Sequence, residues 1–172
     1  MKTYISLKQI NTLAIPAIIA GISEPILSLT DAAIVGHMPI HATESLAAVG
    51  VVTAFLSMLI WVLGQSRSAI SSIISQYVGA NKLEEVKNLP AQAIAIILGI
   101  SFVICCITYP FSNAIFKLYN ASGLLLDYSV SYYKIRVIGL PFTLYTFAVF
   151  GVFRGLQNTY YPMLIAITGA LV

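Results

Sequence analysis

Leu46–Gly64 reads LAAVGVVTAFLSMLIWVLG, 19 residues without one charged side chain. At about 1.5 Å of rise per residue a helix of that length covers about 28 Å, close to the ~30 Å hydrocarbon thickness of a bilayer. The stretch therefore predicts a membrane-spanning helix. The pattern does not stop at Gly64 but runs on through Ser66, Ser68, Ser71, Ser72 and Ser75 to Gly79. A second helix over about 45–79 follows, with a small-residue, serine-rich second half that suits close packing on a neighbouring helix.

Working outward, Thr12 to Val35 forms a first span, closed by the helix-stopping residues Gly36, His37 and Pro39. Downstream, Gly79, Ala80 and Asn81 end the second helix, and Lys82, Glu84, Glu85 and Lys87 make the most polar segment, read as a solvated loop or surface helix. A third span is expected at 91–111, followed by a loop region from Ser112 to Leu126. A fourth is expected at 128–153, with Lys134 and Arg136 in its first turns at a membrane interface beside Tyr132 and Tyr133. After a turn at Arg154, Gly155, Gln157 and Asn158, an apolar segment at 160–172 is still running at Val172, short of the ~20 residues needed to cross. The expected fold class is all-α, a polytopic transmembrane helix bundle of about four and a half spans. The chain then reads as a fragment of a longer protein, or as one whose last segment a partner completes.

Composition agrees with those blocks. Hydrophobic residues make up 59% of the chain and charged residues 9%, where a soluble domain carries roughly 25% charge, and the mean hydropathy is +0.91. The formal net charge of +3 comes from nine dispersed Lys and Arg, which form no basic stripe, so a nucleic-acid partner is excluded. Cys105 and Cys106 are adjacent within an apolar run and read as packing residues rather than a zinc site or disulfide framework. Lys2 and Lys8 before an apolar stretch imitate a signal peptide, yet no small-residue cleavage site follows and an uncleaved first span is expected. A cytoplasmic N-terminus puts Lys2, Lys8, Lys82, Lys87 and Arg154 inside, against Lys117, Lys134 and Arg136 outside, a modest positive-inside bias that points to the inner or plasma membrane.

Among residues able to carry chemistry, Asp31 stands first. An ionisable side chain within a spanning helix costs ~2.5 to 3.5 kcal/mol on insertion scales, so such groups face a bundle interior or a watery cavity and are functional by default. A carboxyl held away from water favours its protonated form, and a bound cation favours the carboxylate; that competition is the physical core of ion coupling. The alternative is an Asp31 wetted near the outer end of its helix. Glu24 lies two turns earlier on the same face with Leu27 and Ser28 between, so that Glu24 and Ser28 are candidates for a lined path. Pro16 and Pro25 each remove a backbone donor, making the first helix kinked or bendable. Gln65 and Arg67 interrupt the long second helix; Gln65 is a cavity candidate, and Arg67 either finds a partner or snorkels to the cytoplasmic interface. Thr143, Tyr145 and Thr146 either donate hydrogen bonds into a cavity, with Thr146 the candidate, or bond to neighbouring helices and their own backbone. His37 and His41 are separated by Pro39 with no third ligand, so no metal site is expected. No phosphate-binding Gly-rich loop, nucleophile elbow or HExxH pattern is present, and no enzyme activity, catalytic residue or cofactor is expected.

The stretches LAIPAI (13–18) and EPILSLTDAAIVGH (24–37), ESLAAVGV (44–51), SQYVGANKLEEVKNL (75–89), YYKIRVIGLPF (132–142) and FRGLQNTYYPM (153–163) together resemble the multidrug and toxic compound extrusion (MATE) family, particularly its DinF-like branch. The likeness runs from about Leu7 to the end. It implies the opening helices of the N-terminal lobe of a twelve-helix secondary antiporter that exports cationic or amphipathic drug-like compounds in exchange for H+ or Na+. By the same resemblance Asp31 matches the family's cation-coupling acidic residue of helix one, Pro16 a proline implicated in bending, and Glu24 falls on the cavity face. Two departures stand out: the family's second acidic site belongs to a fifth helix beyond Val172, and Phe147 and Phe150 stand where some members carry cavity amides. The partners implied are small-molecule substrates, the lipid bilayer and the missing C-terminal part of the protein. Two other classes remain, a small membrane protein that assembles with another helical subunit through Gly- and Ser-rich faces, and a lipid-linked substrate flippase. Coding sequence for further spans beyond Val172 separates the first from the antiporter, and a strongly cationic cavity, for which only Arg67 is a candidate, is what a flippase requires.

Overall fold

The structure is a computed structural model that describes residues 6–37 and 41–171. Lys2 and Pro39 lie outside the described residues, as does the side chain of Glu24. Seven α-helices follow in order: α1 (Leu7–Gly36), α2 (Ala42–Gly64), α3 (Ser66–Gly79), α4 (Leu89–Leu118), α5 (Gly123–Arg136), α6 (Leu140–Gly155) and α7 (Tyr160–Leu171), with short 3-10 turns at Leu83–Val86 and Val137–Gly139. No strand occurs among the described residues. Three continuous stretches, Ala42–Gly79, Leu83–Leu118 and Gly123–Gly155, are long and apolar enough to cross a membrane.

The apolar residues are not spent on a core. In the most apolar window of each of the first two stretches only 17% and 11% of residues are buried. The surface of 11222 Å² exceeds the roughly 8,200 Å² of a compact soluble monomer of this mass. Phe102, Trp61, Phe142 and Ile135 all stand largely uncovered, an arrangement that is stable only where the surroundings are as apolar as the side chains.

Three helices end by one device. Asn81, Asn120 and Gln157 take positive φ values of 55°, 59° and 58°. In each case the following amide reaches back over the turn: Lys82 N–H to Tyr77 O at 2.9 Å, Ala121 N–H to Phe116 O at 3.1 Å, and Asn158 N–H to Phe153 O at 2.9 Å. These left-handed caps satisfy carbonyls that the helix end leaves open. They turn the chain tightly, so consecutive spans run back alongside one another.

Several boundaries differ from those expected: the first span begins at Leu7 rather than Thr12, and two further differences shape the bundle. The third span does not stop at 111; α4 carries Pro110 inside it and continues to Leu118, which turns the expected loop from Ser112 into two further turns of helix. The fourth begins at Gly123 and is interrupted by the 3-10 turn at Val137–Gly139 before Pro141 starts α6. Pro141 has no N–H to offer the Val137 carbonyl. That oxygen accepts instead from the Leu140 amide and from the Cys105 thiol at 3.3 Å, so Cys105 does more than fill space.

Two apolar clusters hold the helices. In the first, Phe55, Phe116 and Tyr133 meet edge to face with ring centroids 5.3 to 6.0 Å apart, joining α2, α4 and α5. Tyr133 is fully buried and its hydroxyl lies 2.5 Å from Thr108 Oγ1, so the ring points into the bundle. In the second, Ile70 and Ile74 of α3 pack with Ile97, Leu140, Leu144 and Ala148. Here Gly151 and Gly155 bring α6 against α3: a Cβ on Gly151 would lie 2.7 Å from Arg67 O, and one on Gly155 2.7 Å from Ile74 Cβ. This is the small-xxx-small contact of membrane helices. The helix α1 takes no part in either cluster; it packs chiefly on α7 and then on α2, and Thr159 Oγ1 donates to Leu13 O at 3.0 Å.

Candidate functional site

Asp31 sits in the last third of α1, six residues beyond Pro25. Its Oδ2 lies 3.7 Å from Nη1 of Arg136, and both side chains are about half exposed, 47% and 46%. Asp31 is thus part of an open ion pair between helices rather than enclosed within the described bundle. Arg136, expected at an interface, ends α5 and also lies over the Tyr132 ring, 5.7 Å from its centroid. It lines a recess of about 250 Å³ together with Leu56, Ile60, Leu140 and Thr143. Arg136 is therefore shared between the carboxylate of α1 and a largely apolar hollow between α2 and the α5–α6 turn.

A second, smaller hollow of about 110 Å³ lies further along α2 and includes Ile60, Trp61, Gly64, Gln65, Arg67 and Phe147. The Arg67 guanidinium stands 4.9 Å from the centre of the Phe147 ring, a favourable cation–π geometry. Phe147 in turn fits because Gly64 has no side chain: a Cβ there would meet the ring at 2.8 Å. Gln65 is exposed and donates from Nε2 to Trp61 O at 3.3 Å. The α2–α6 groove is thus apolar along its walls with an arginine at each hollow.

The other expected residues are more scattered. Ser28 is exposed on α1, one turn before Asp31. Thr146 Oγ1 donates to Phe142 O at 3.0 Å and Thr143 Oγ1 to Gly139 O at 3.2 Å, so both hydroxyl protons are committed to their own helix. Pro16 and Pro25 lie within α1, which is continuous through both. His37 Nδ1 lies 2.7 Å from Ala33 O, to which it donates, and His41 lies 3.9 Å from Glu44; no metal-holding group of His, Cys, Asp or Glu exists among the described residues. At the C-terminal end of α6, Arg154 Nε is buried without a hydrogen-bond partner among the described residues. What sequence reasoning missed was Arg136, and the signal was available: a lone acid in one span calls for a base in another.

The family model of MatE matches residues 16–172. The chain belongs to the MatE family. MatE proteins are transporters rather than enzymes, and this MatE chain is a multi-pass membrane protein. It is 26% identical over 163 residues to the DNA damage-inducible protein F of Escherichia coli, a match covering 94% of this chain and 35% of that protein. It is 28% identical over 165 residues to the multidrug resistance protein MdtK of Edwardsiella ictaluri, covering 96% and 35%. The chain therefore spans about a third of the length of these relatives. Among solved structures it superimposes with a TM-score of 0.81 at 25% identity on a MOP-superfamily transporter from Pyrococcus furiosus, described as having a binding pocket of reversed polarity. With a multidrug resistance MATE transporter in an outward-facing conformation it shares a TM-score of 0.82 at 22% identity, a likeness of fold. They cover 95% of this chain and 35% and 36% of those chains.

Proposed function

We propose that this MatE chain forms the opening helices of the N-terminal lobe of a secondary active antiporter that exports cationic or amphipathic compounds in exchange for H+ or Na+. Asp31 is the group that takes the coupling cation. The observation that carries the reading is the position of Asp31: a carboxylate on the first long helix, paired across helices with Arg136 at 3.7 Å. The other described carboxylates, Glu44, Glu84, Glu85 and Asp127, lie near helix starts or in the polar turn after α3. Coupling requires that ion and drug stabilise different arrangements of the helices. In this reading Pro16 and Pro25 let α1 bend, Ser28, Gln65, Thr146 and Glu24 line the path, and partners are drug-like molecules, the bilayer and the rest of the protein.

The membrane is the inner or plasma membrane and the N-terminus is cytoplasmic. Supporting this, Lys8, Lys82, Lys87 and Arg154 fall at one end of the alternating spans, against Lys117 at the other end and Lys134 and Arg136 on that side, a modest bias.

The test is Asp31→Asn in the full-length protein in proteoliposomes, driven in turn by a pH gradient and a sodium gradient. Insertion stays intact and efflux of a cationic dye is lost under whichever gradient drives the parent. Undiminished efflux removes Asp31 from the coupling.

A further inference from the structure

Asp31 and Arg136 come from helices that otherwise hardly meet. α1 packs on α7 and α2, whereas α5 packs on α2 and α4. Among the described residues, Arg136 is the cation that faces Asp31. Glu44, on the α2 side, is occupied by His41 at 3.9 Å; His37 is engaged with Ala33 O; Lys134 points to the Tyr109 ring, 5.7 Å away; Asp127 lies nine residues back along α5; and α7 carries no charged residue. The side chain of Glu24 is outside the described set. Arg136 is also one of the residues lining the 250 Å³ recess, whose other lining is chiefly apolar.

The geometry points to Arg136 as an internal counter-cation that exchanges places with the coupling ion, so that a cation arriving at Asp31 hands a positive charge to the recess and expels a cationic cargo. The inference rests on the reading of Asp31 as the coupling carboxylate and adds how the two ligands come to exclude each other. With Asp31 ionised, its charge neutralises Arg136, and the recess presents apolar walls to an amphipathic cation. Once H+ or Na+ occupies the carboxylate, the guanidinium has lost its partner while Arg136 still lines the recess. Its charge then acts directly on whatever cation the recess holds. No large helix motion is needed for this step, since one side chain serves both sites. The sign is specific: a neutral amphipath of similar size escapes the effect.

The measurement is binding of ethidium, a cationic amphipath, to the full-length protein in detergent, by fluorescence polarisation across pH and sodium concentration, with a neutral lipophilic dye as control. For a half-exposed ion pair the expected change in affinity is about fivefold. The parent loses ethidium affinity by about that factor as the coupling cation saturates. Asp31→Asn binds ethidium weakly at every cation concentration, because Arg136 is permanently unpaired. Arg136→Gln binds it with an affinity that no longer responds to the cation, Arg136→Lys responds as the parent does, and the double variant regains the affinity lost in Asp31→Asn. A double variant no better than Asp31→Asn, or an Arg136→Gln protein with the full cation response, overturns the exchange. If Asp31→Asn still exports normally the coupling role of Asp31 falls as well; if it loses export while Arg136→Gln keeps its cation response, only the exchange falls.

Discussion

Replacing Gly151 by alanine adds a single methyl group, and the structure says where it goes. The new Cβ would lie 2.7 Å from the backbone oxygen of Arg67 and 3.1 Å from its Cα, about 0.7 Å short of the 3.4 Å at which ordinary contact begins. The obstacle is backbone on α3, not a side chain that can swing away, so α6 must retreat. A gap of 0.5 to 1 Å forfeits roughly a quarter to a half of each dispersion contact, here among Ile70, Ile74, Leu144 and Ala148. Overpacking of this kind costs about 1 to 3 kcal/mol; 2 kcal/mol raises the unfolded population by about 30-fold. Gly99→Ala is the matched control, since a Cβ there meets nothing within 4 Å and alanine is favoured over glycine in a helix by roughly 0.5 to 1 kcal/mol. Reversible unfolding in bicelles, followed by steric trapping, should therefore show the same chemical change acting with opposite signs at the two sites. If Gly151→Ala is as stable as the parent, or shifts in the same direction as Gly99→Ala, the close approach of α3 and α6 is not what holds them.

Two further tests address the core and the topology. Tyr133→Phe removes the hydroxyl placed 2.5 Å from Thr108 Oγ1 while keeping the aromatic cluster; a loss of about 0.6 to 1 kcal/mol is expected in the same unfolding assay, in line with inter-helical hydrogen bonds in membranes, and no loss would place the hydroxyl elsewhere. Cysteines substituted for Lys82 and Lys117, at opposite ends of the Leu83–Leu118 stretch, should react with a membrane-impermeant maleimide from opposite faces, Lys82→Cys from the cytoplasm. Labelling of both from one side refutes the crossing.

The fold class was legible because an uncharged run such as Leu46–Gly64 has few stable alternatives outside a bilayer, and the turns were legible because Asn81, Asn120 and Gln157 are polar residues at the ends of apolar runs. The loop expected from Ser112 was not one, since the polar side chains of Ser112, Asn113 and Lys117 sit in the last turns of α4, which continues to Leu118. The burial of Tyr133 was hidden for a deeper reason. In a soluble protein burial is read from the contrast between an apolar and a polar face, and a helix surrounded by lipid has no such contrast. The pairing of Arg136 with Asp31 is a contact between distant parts of the chain, and no local spacing encodes it. What sequence did supply was Asp31 itself, conspicuous because a charge within a span is costly.

The distribution of packing bears on why the carboxylate stands on α1 rather than elsewhere. The two clusters tie α2 to α6 together through buried aromatic rings and glycine contacts, and any motion there would break many contacts at once. Of the apolar side chains described on α1, only Ala20 is buried. The helix carries two prolines, whose missing amide hydrogens weaken the ladder at Pro16 and Pro25. Elements that move are drawn from the loosely held part of a protein, and an ion pair half open to its surroundings has the modest strength that a small cation can outcompete. A deeply buried pair in the aromatic cluster would hold too firmly to switch, and a carboxylate with no partner would respond to the cation without telling another helix. Asp31 on α1, with Arg136 fixed on the core side, meets both requirements: the weak partner is on the helix free to move, and the one that reports to the recess is on the helix that stays.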